Sequence, residues 1–341
     1  MSHEFNSLLF GNEKSIQQLV KHYNMRSVPH SLIFYGPKGI GKASLAINFS
    51  TQLINNQSSI DENDLRRQVS QSPDYRNIYH CKREYDETTK KLKSVISIDQ
   101  IRNLKEFFFL SQTEQNWRIA VIDSMDEMNE ASANAILKLL EEPPIKSLII
   151  LVSHSINKVK PTILSRCQKI SFQALTEKQT KGFMDQYKCD DNEKDFVLSL
   201  AEGLPGKALN LLNTKNFVTY EELVQTVSKF SKSRNKTTEG KGVSFTVNKS
   251  EGSTISINEM ILMLIERVTR SIIGDKSIKH TNSEKKLLEQ LSEKSELAID
   301  FAELYLHLEE IISQSEKVNI EQSEITWNCM DKIKKLFEEK V

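Results

Sequence analysis

A glycine-rich segment at residues 36–42 contains the residue types that bind the phosphates of a nucleotide. It reads GPKGIGK and has the spacing G-x-x-x-x-G-K, in which the glycines let backbone amides turn toward an anion. The lysine that ends the segment is placed to reach the outer phosphates, and the positive end of a following helix adds to the attraction. The residues expected to surround the phosphates are Gly36, Gly39, Gly41 and Lys42.

One position beside this segment departs from the pattern. Loops of this kind ligate magnesium through a Ser or Thr directly after the lysine, and here that position is Ala43. Ser44 comes one place later, about 100° further round a helix, so its hydroxyl is expected to face elsewhere. The sequence therefore predicts a phosphate-binding loop and leaves open whether ATP still binds to it.

A second chemical signal is an acid at the end of an apolar run. Residues 117–123 read WRIAVID, which is typical of a buried strand, and Asp123 ends it. A carboxylate in this place, downstream of a phosphate loop, holds magnesium through water. The next position is a glutamate in active ATPases of this type, and here it is Ser124. Asp126 and Glu127 follow, and we interpret both as parts of a solvated turn and helix start rather than as acids that position the attacking water.

Alternating strands and helices must position these residues. Apolar runs predict strands, and apolar residues at helical spacing predict the helices between them. Because strands that are apolar on both sides are buried on both faces, the pattern indicates an α/β fold with a parallel sheet covered by helices. The predicted strands are 31–35, 75–80, 117–123 and 148–152, and the predicted helices are 13–23, 42–54, 101–110 and 130–142. Ser153, which directly follows the last strand, joins Asp123 in the predicted nucleotide site.

The composition is that of an ordinary soluble globular protein. The 341 residues are enough for two or three domains, and 46 basic residues balance 46 acidic ones, so no net charge draws the chain to DNA or to a membrane. The four cysteines lack C-x-x-C spacing, which disfavours a zinc site or a disulfide framework and suits a reducing cytosol. Without a long apolar run, we expect no membrane span, no signal peptide and a cytoplasmic location.

Two longer motifs resemble those of a known family. Residues 130–144, EASANAILKLLEEPP, resemble the clamp-loader stretch A-N-A-L-L-K-x-L-E-E-P-P, and residues 161–168, PTILSRCQ, resemble the clamp-loader Ser-Arg-Cys motif in its usual context. Together with the phosphate loop, these motifs are similar to those of the clamp-loader subunits of bacterial DNA polymerase III, which are AAA+ proteins. The resemblance covers residues 8–212 by motifs and the remainder only by length and helicity.

The resemblance implies a domain organisation and a set of partners. It implies an AAA+ domain at 1–173, a small helical lid domain at 174–214 and an all-α collar domain at 215–341. Residues 233–255, which are polar and rich in Ser, Thr, Lys, Gly and Asn, predict a mobile loop within the last of these. The implied partners are the gamma/tau and delta subunits of the loader, with the sliding clamp and primed DNA reached through the complex.

The departures from the family pattern resemble those of the delta-prime subunits, whose members often lack ATPase activity. Besides Ala43 and Ser124, Gly206 stands where the family's sensor arginine is expected, and the zinc-binding stretch of the motor subunits retains only Cys81. We therefore expect no zinc, no polymerase site and little or no ATPase activity in this chain. The alternative is an active motor subunit of the gamma/tau type that uses Asp126 or Glu127 as the water-positioning acid.

Arg166 is kept, although the hydroxyl after the lysine, the glutamate after Asp123 and the sensor arginine are not. The resemblance implies that it acts in trans, as an arginine finger that stabilises the charge developing on a nucleotide held by the neighbouring subunit. The alternative is an intrachain salt bridge. Ser165 and Cys167 are expected to position and pack the motif rather than to react, because no motif sets a histidine and an acid beside the thiol.

Overall fold

The computed structural model describes most of the chain in two compact units. The first unit contains the residues up to 187 together with 203–206, and the second contains 188–202 together with 207–341. The described residues are 9–67, 76–86, 91–93, 95–109, 116–187, 189, 191–213, 216–230, 256–291, 296–318 and 321–340. The predicted loop at 233–255 lies outside them, and the three-part division at 173 and 214 stays a prediction.

The first unit is built on a parallel sheet, as the sequence predicts. Five strands pair in the order β2-β5-β6-β1-β7, and every pairing among them is parallel. A separate antiparallel pair, β3 and β4, falls in the charged stretch between β2 and the next helix. The strands are β1 Ser31–Tyr35, β2 Ile78–Cys81, β3 Tyr85–Asp86, β4 Lys91–Leu92, β5 Arg118–Asp123, β6 Ser147–Ser153 and β7 Gln168–Ser171.

Helices cover both faces of this sheet. Alternate residues of the central strands enter two separate apolar clusters, with Phe34 and Val121 in one and Ile33 and Ile122 in the other. Helices α1 and α2 pack in the first cluster, and α4 and α5 pack in the second. The helices that begin in this unit are α1 Glu13–Asn24, α2 Lys42–Asn55, α3 Glu62–Arg66, α4 Ile98–Phe109, α5 Glu130–Glu141, α6 Pro161–Leu164, α7 Glu177–Met184 and α9 Pro205–Asn213. The helix between α7 and α9 belongs to the second unit.

Strand β7 is a feature that the sequence pattern does not reveal. It has only four residues, and Ile170 is its one fully buried position. It forms because β1 has a free edge: Leu32 pairs with Gln168 and Tyr35 with Ser171. A single buried residue gives no strand periodicity, so this strand depends on its neighbour.

The second unit is helical and is organised around a buried ion pair. Arg267 and Glu284 are 2% and 1% exposed, and Arg267 Nε donates to Glu284 Oε1 over 2.7 Å. The Tyr220 hydroxyl donates to the same carboxylate, and Arg267 also donates to the carbonyl of Ser199 over 2.9 Å. These residues lie on four helices, α8, α10, α11 and α12, which therefore meet at one polar cluster. The helices are α8 Asp191–Ala201, α10 Asn216–Phe230, α11 Ile257–Ile272, α12 Asn282–Leu291, α13 Leu297–Val318 and α14 Gln322–Lys340.

Among the described helices of both units, none is long and apolar enough to cross a membrane.

Candidate functional site

The phosphate loop lies at the carboxyl edge of the sheet, between β1 and α2. β1 ends at Tyr35, and α2 begins at Lys42. Gly36 has a φ of 144°, and a Cβ built on it would lie 2.1 Å from the carbonyl oxygen of Phe172, so glycine is required where these two backbone segments pass. The loop thus has the strand–loop–helix context on which the phosphate-binding pattern depends.

Lys42 is turned back onto its own loop. Its Nζ donates to the carbonyl oxygens of Gly36 and Pro37, each over 2.6 Å, and the residue is only 3% exposed. Burial lowers the pKa of Lys42 to about 8, although the charges of Asp126 and Asp123 oppose the shift. A nucleotide must draw this ammonium away from two good acceptors before Lys42 reaches a phosphate.

Gly206 closes against the phosphate loop. Its backbone N–H donates to the carbonyl of Gly39 over 2.8 Å. A Cβ at position 206 would lie 2.9 Å from that oxygen and 3.0 Å from Gly39 Cα, and backbone atoms cannot swing aside as a flexible side chain can. The position where the family resemblance predicts a sensor arginine is therefore occupied here by direct contact between two backbones.

Asp126 reaches back to the ends of β5 and β6, so its interpretation as part of a solvated turn is wrong. Its Oδ1 accepts from Ser153 Oγ over 2.9 Å, and its Oδ2 accepts from Ser124 Oγ over 3.0 Å and from the backbone N–H of His154 over 2.5 Å. The Ser124 and Ser153 side chains are buried. Only the pairing of β5 with β6 brings these groups together, and no spacing in the sequence indicates it.

Asp123 and Glu127 have different partners. His80 Nε2 lies 3.9 Å from Asp123 Oδ2, and this imidazole, together with the charges of His154 and Lys42, lowers the pKa of Asp123 against the effect of burial. Glu127 pairs instead with Arg83, with Nε 2.8 Å from Oε2. Asp123 thus remains an ionised acid beside the phosphate loop, whereas Glu127 is neutralised by an arginine near β2.

A nucleotide with magnesium fits these residues only in part. The glycine cradle and Asp123 are present, but Ala43 supplies no hydroxyl for the metal, and Asp126 and Glu127 are engaged elsewhere. The described part of the chain contains no group of three or more His, Cys, Asp or Glu residues that could hold a metal ion. Burial raises the pKa of the Cys81 thiol to about 12, so this cysteine is a poor zinc ligand on its own.

Arg166 lies away from the phosphate loop, at the end of the sheet where the parallel strands begin. It precedes β7, whereas the loop, Asp123 and Ser153 follow the strands β1, β5 and β6. Its guanidinium is partly exposed and forms an intrachain ion pair, with Nη2 2.7 Å from Glu141 Oε1. The structure therefore separates Arg166 from this chain's own phosphate loop and leaves it at the surface.

The residues on either side of Arg166 hold its backbone. Ser165 Oγ donates to the carbonyl of Thr162 over 3.1 Å, and Ser31 Oγ donates to the carbonyl of Arg166 over 2.5 Å. Cys167 is 8% exposed, and burial raises the pKa of its thiol to about 11. Because the thiolate is the reactive form, Cys167 is suited to packing rather than to nucleophilic attack.

The chain is similar to known subunits of DNA polymerase III. The family model described as DNA polymerase III, delta subunit, matches residues 11–176. The chain is 25% identical over 217 residues to DNA polymerase III subunit tau of Bacillus subtilis, covering 60% of this chain and 36% of tau. It is 31% identical over 144 residues to subunit delta' of Pseudomonas aeruginosa, covering 40% of this chain and 41% of delta'. These matches span less than half of either relative.

Among solved structures, the chain superposes on a DNA polymerase III gamma subunit-related protein from Thermotoga maritima. The TM-score is 0.49 at 17% identity, and the superposition covers 96% of this chain and 99% of that one.

Proposed function

Because the chain belongs to the AAA+ family of clamp-loader subunits, we propose that it is the delta-prime subunit of a DNA polymerase III clamp loader. In this role it is a stator: it hydrolyses no ATP itself and places Arg166 against the nucleotide of a neighbouring gamma/tau subunit. The other partners are a delta subunit and, through the complex, the sliding clamp and primed DNA in the cytoplasm.

One observation carries the choice of a stator over a motor. Both acids that could replace the missing glutamate of the hydrolytic site are bound within the chain. Asp126 accepts hydrogen bonds from Ser124, Ser153 and the His154 amide, and Glu127 is paired with Arg83. Neither carboxylate retains the freedom to orient a water molecule for attack on a γ-phosphate.

The competing proposal is an ATP-hydrolysing motor subunit of the gamma/tau type. The similarity to subunit tau of Bacillus subtilis, which extends over 217 residues, favours it. On this proposal the phosphate loop of this chain binds ATP, and Lys42 stabilises the transferred phosphoryl group.

The mechanism of the stator follows from where charge develops. Phosphoryl transfer spreads negative charge over the γ-phosphate oxygens, and a guanidinium supplied by a neighbour stabilises it. Arg166 is suited to this because it is partly exposed, and because an arginine fork binds two phosphate oxygens at once. In other systems such an arginine accelerates hydrolysis by about 10³ to 10⁵.

Two variants of this chain test the proposal in one experiment. The loader is assembled with wild-type chain, with Lys42→Ala or with Arg166→Ala, and ATP hydrolysis and clamp loading are measured after assembly is verified. We expect Lys42→Ala to leave the ATPase rate unchanged, because its site is not used. Arg166→Ala should lower the total rate partially, since one of several sites loses its arginine, and should lower clamp loading further.

The opposite pattern would support the motor. A fall in ATPase with Lys42→Ala, together with wild-type rates for Arg166→Ala in an intact complex, would contradict the stator. Arg166→Lys refines the test, because an ammonium cannot present a planar fork and should restore the rate only in part.

A further inference from the structure

Two hydrogen bonds and one ion pair within the chain hold the guanidinium of Arg166. Nη1 donates to the carbonyl of Thr162 over 2.8 Å and to Ser165 Oγ over 3.2 Å, and Nη2 lies 2.7 Å from Glu141 Oε1. A guanidinium has five N–H donors, and both of these hydrogen bonds come from Nη1, so Nε–H and the Nη2 hydrogens form no hydrogen bond within the described part of the chain. Nε and Nη2 share one edge of the planar group, and an edge of this kind binds two oxygens of a phosphate. No described residue of the chain accepts a hydrogen bond from Nε.

We propose that Glu141 is a positioning residue for Arg166: its carboxylate fixes the guanidinium so that the Nε–Nη2 edge faces a neighbouring subunit. The proposal rests on the trans-acting role of Arg166 proposed above. Glu141 is the last residue of α5, and Arg166 lies just beyond α6, so the ion pair joins the ends of two helices. An arginine side chain otherwise has several rotatable bonds and many exposed conformations.

The location of the pair argues against a role in stability. The Glu141 and Arg166 side chains are 48% and 35% exposed, and exposed ion pairs contribute little to the free energy of folding. Because an exposed pair shifts a conformational equilibrium by a factor of about five at most, its effect on the neighbour's hydrolysis has the same limit. Glu141 therefore acts on the population of correctly placed arginine and not on the fold.

The chain offers a matched control at the next position. Glu142 carries the same charge and is exposed, and its side chain has no hydrogen-bond or ion-pair partner in the described part of the chain. Glu141→Ala and Glu142→Ala thus remove the same charge from the same helix end, but only the first removes the contact with Arg166.

The experiment compares assembled loaders that contain wild-type chain, Glu141→Ala, Glu142→Ala, Arg166→Ala or the Glu141→Ala/Arg166→Ala double variant. We expect Glu141→Ala to lower the Arg166-dependent part of kcat for ATP, which is the difference between the wild-type and Arg166→Ala loaders, about twofold to fivefold with KM unchanged, and Glu142→Ala to match wild type. The difference between Glu141→Ala and wild type should shrink as salt is raised, because salt screens an exposed pair. In the Arg166→Ala background, Glu141→Ala should have no further effect.

The outcomes separate this inference from the proposed function. If Arg166→Ala slows hydrolysis but Glu141→Ala does not, the positioning role is wrong and the stator stands. If Glu141→Ala also slows the Arg166→Ala loader, Glu141 acts through the fold and the inference is again overturned. If Arg166→Ala itself has no effect in an intact complex, both proposals fail. Thermal unfolding of each variant chain shows whether any of them has lost its structure.

Discussion

Two charged residues at the phosphate loop already form hydrogen bonds within the chain. Lys42 and Asp126 are both placed at the phosphate loop, yet the ammonium binds two loop carbonyls and the carboxylate binds two serines and an amide. A ligand must break such bonds before it forms its own, and each bond lost lowers the net affinity. The affinity of the site for a nucleotide is therefore lowered both by the functional groups that are missing and by the bonds that the remaining side chains already form within the chain.

The buried pair in the second unit leads to a prediction about stability. Arg267→Met would leave the Glu284 carboxylate buried without its partner, so we expect the free energy of unfolding to fall by about 3–5 kcal/mol. Lys335→Met is the matched control, because Lys335 pairs with Asp331 at the surface, and its loss should change stability by less than about 1 kcal/mol. Urea unfolding followed by circular dichroism measures both; equal effects would show that burial of the pair is unimportant.

The same pair predicts how stability depends on pH. Burial alone would raise the pKa of Glu284, but His280 and Arg267 together lower it to about 2. An acid whose pKa is lower in the folded chain stabilises the fold above its unfolded pKa of about 4.3, and this contribution is lost as pH falls toward 2. We expect the stability difference between the wild-type and Glu284→Gln proteins to shrink over this interval. A difference that stays constant in acid would contradict the assignment.

One helix, α9, contains a departure from the residue pattern that the family resemblance predicts. The first turn of α9 contains Gly206, which packs its backbone on Gly39 of the phosphate loop. The first turn of a helix has free N–H groups, and one of them is satisfied here by the loop carbonyl. An element that closes over a phosphate loop in this way leaves no space for an arginine side chain to enter from the same position.

Two glycines in helices should respond to alanine in opposite directions. A Cβ at Gly206 meets backbone atoms at 2.9 and 3.0 Å, so Gly206→Ala should lower the free energy of unfolding by about 1–3 kcal/mol. A Cβ at Gly182 in α7 meets only Phe10, at 3.5 Å, so Gly182→Ala should raise it by about 0.5–1 kcal/mol. Chemical unfolding of both variants is the measurement. A neutral or stabilising Gly206→Ala would mean that α9 does not close on the loop.

At the scale of the whole molecule, the chain consists of two units that do not follow one another simply along the sequence. Helix α8 belongs to the second unit although it precedes residues 203–206, which belong to the first. Two contacts tie α8 to the later helices: the Phe196 and Tyr220 rings lie 5.7 Å apart, and Arg267 donates to the Ser199 carbonyl. The predicted lid at 174–214 thus contains residues whose partners lie in the predicted collar.

Two fragments test where the helical unit begins. A fragment of residues 188–341 keeps the contacts of Phe196 and Ser199, whereas a fragment of 215–341 loses them. We expect the longer fragment to unfold cooperatively and at a higher temperature, because the shorter one exposes the Tyr220 ring and removes one acceptor of Arg267. Calorimetry of the two fragments decides between the boundaries. Equal midpoints would favour the boundary at 215 that the family resemblance implies.

The sequence alone determined the features that depend on local spacing. The phosphate loop follows from G-x-x-x-x-G-K between an apolar run and a helical pattern, and the parallel sheet follows from apolar strands separated by helices. Asp123 could be identified because it ends a buried strand. The clamp-loader resemblance rested on two motifs of contiguous residues and is confirmed at the level of the family. Each of these signals lies within a short stretch of chain, where spacing and periodicity are informative.

Only the tertiary structure decided which partners the polar residues have. Asp126 meets Ser153 because β5 pairs with β6, and Gly206 meets Gly39 although they are far apart in sequence. Arg166 meets Glu141 because the ends of α5 and α6 come together, and a pattern of helices does not specify this. The physical reason is the short range of hydrogen bonds and ion pairs: a difference of a few ångströms decides whether they form, and sheet order and helix packing set those distances.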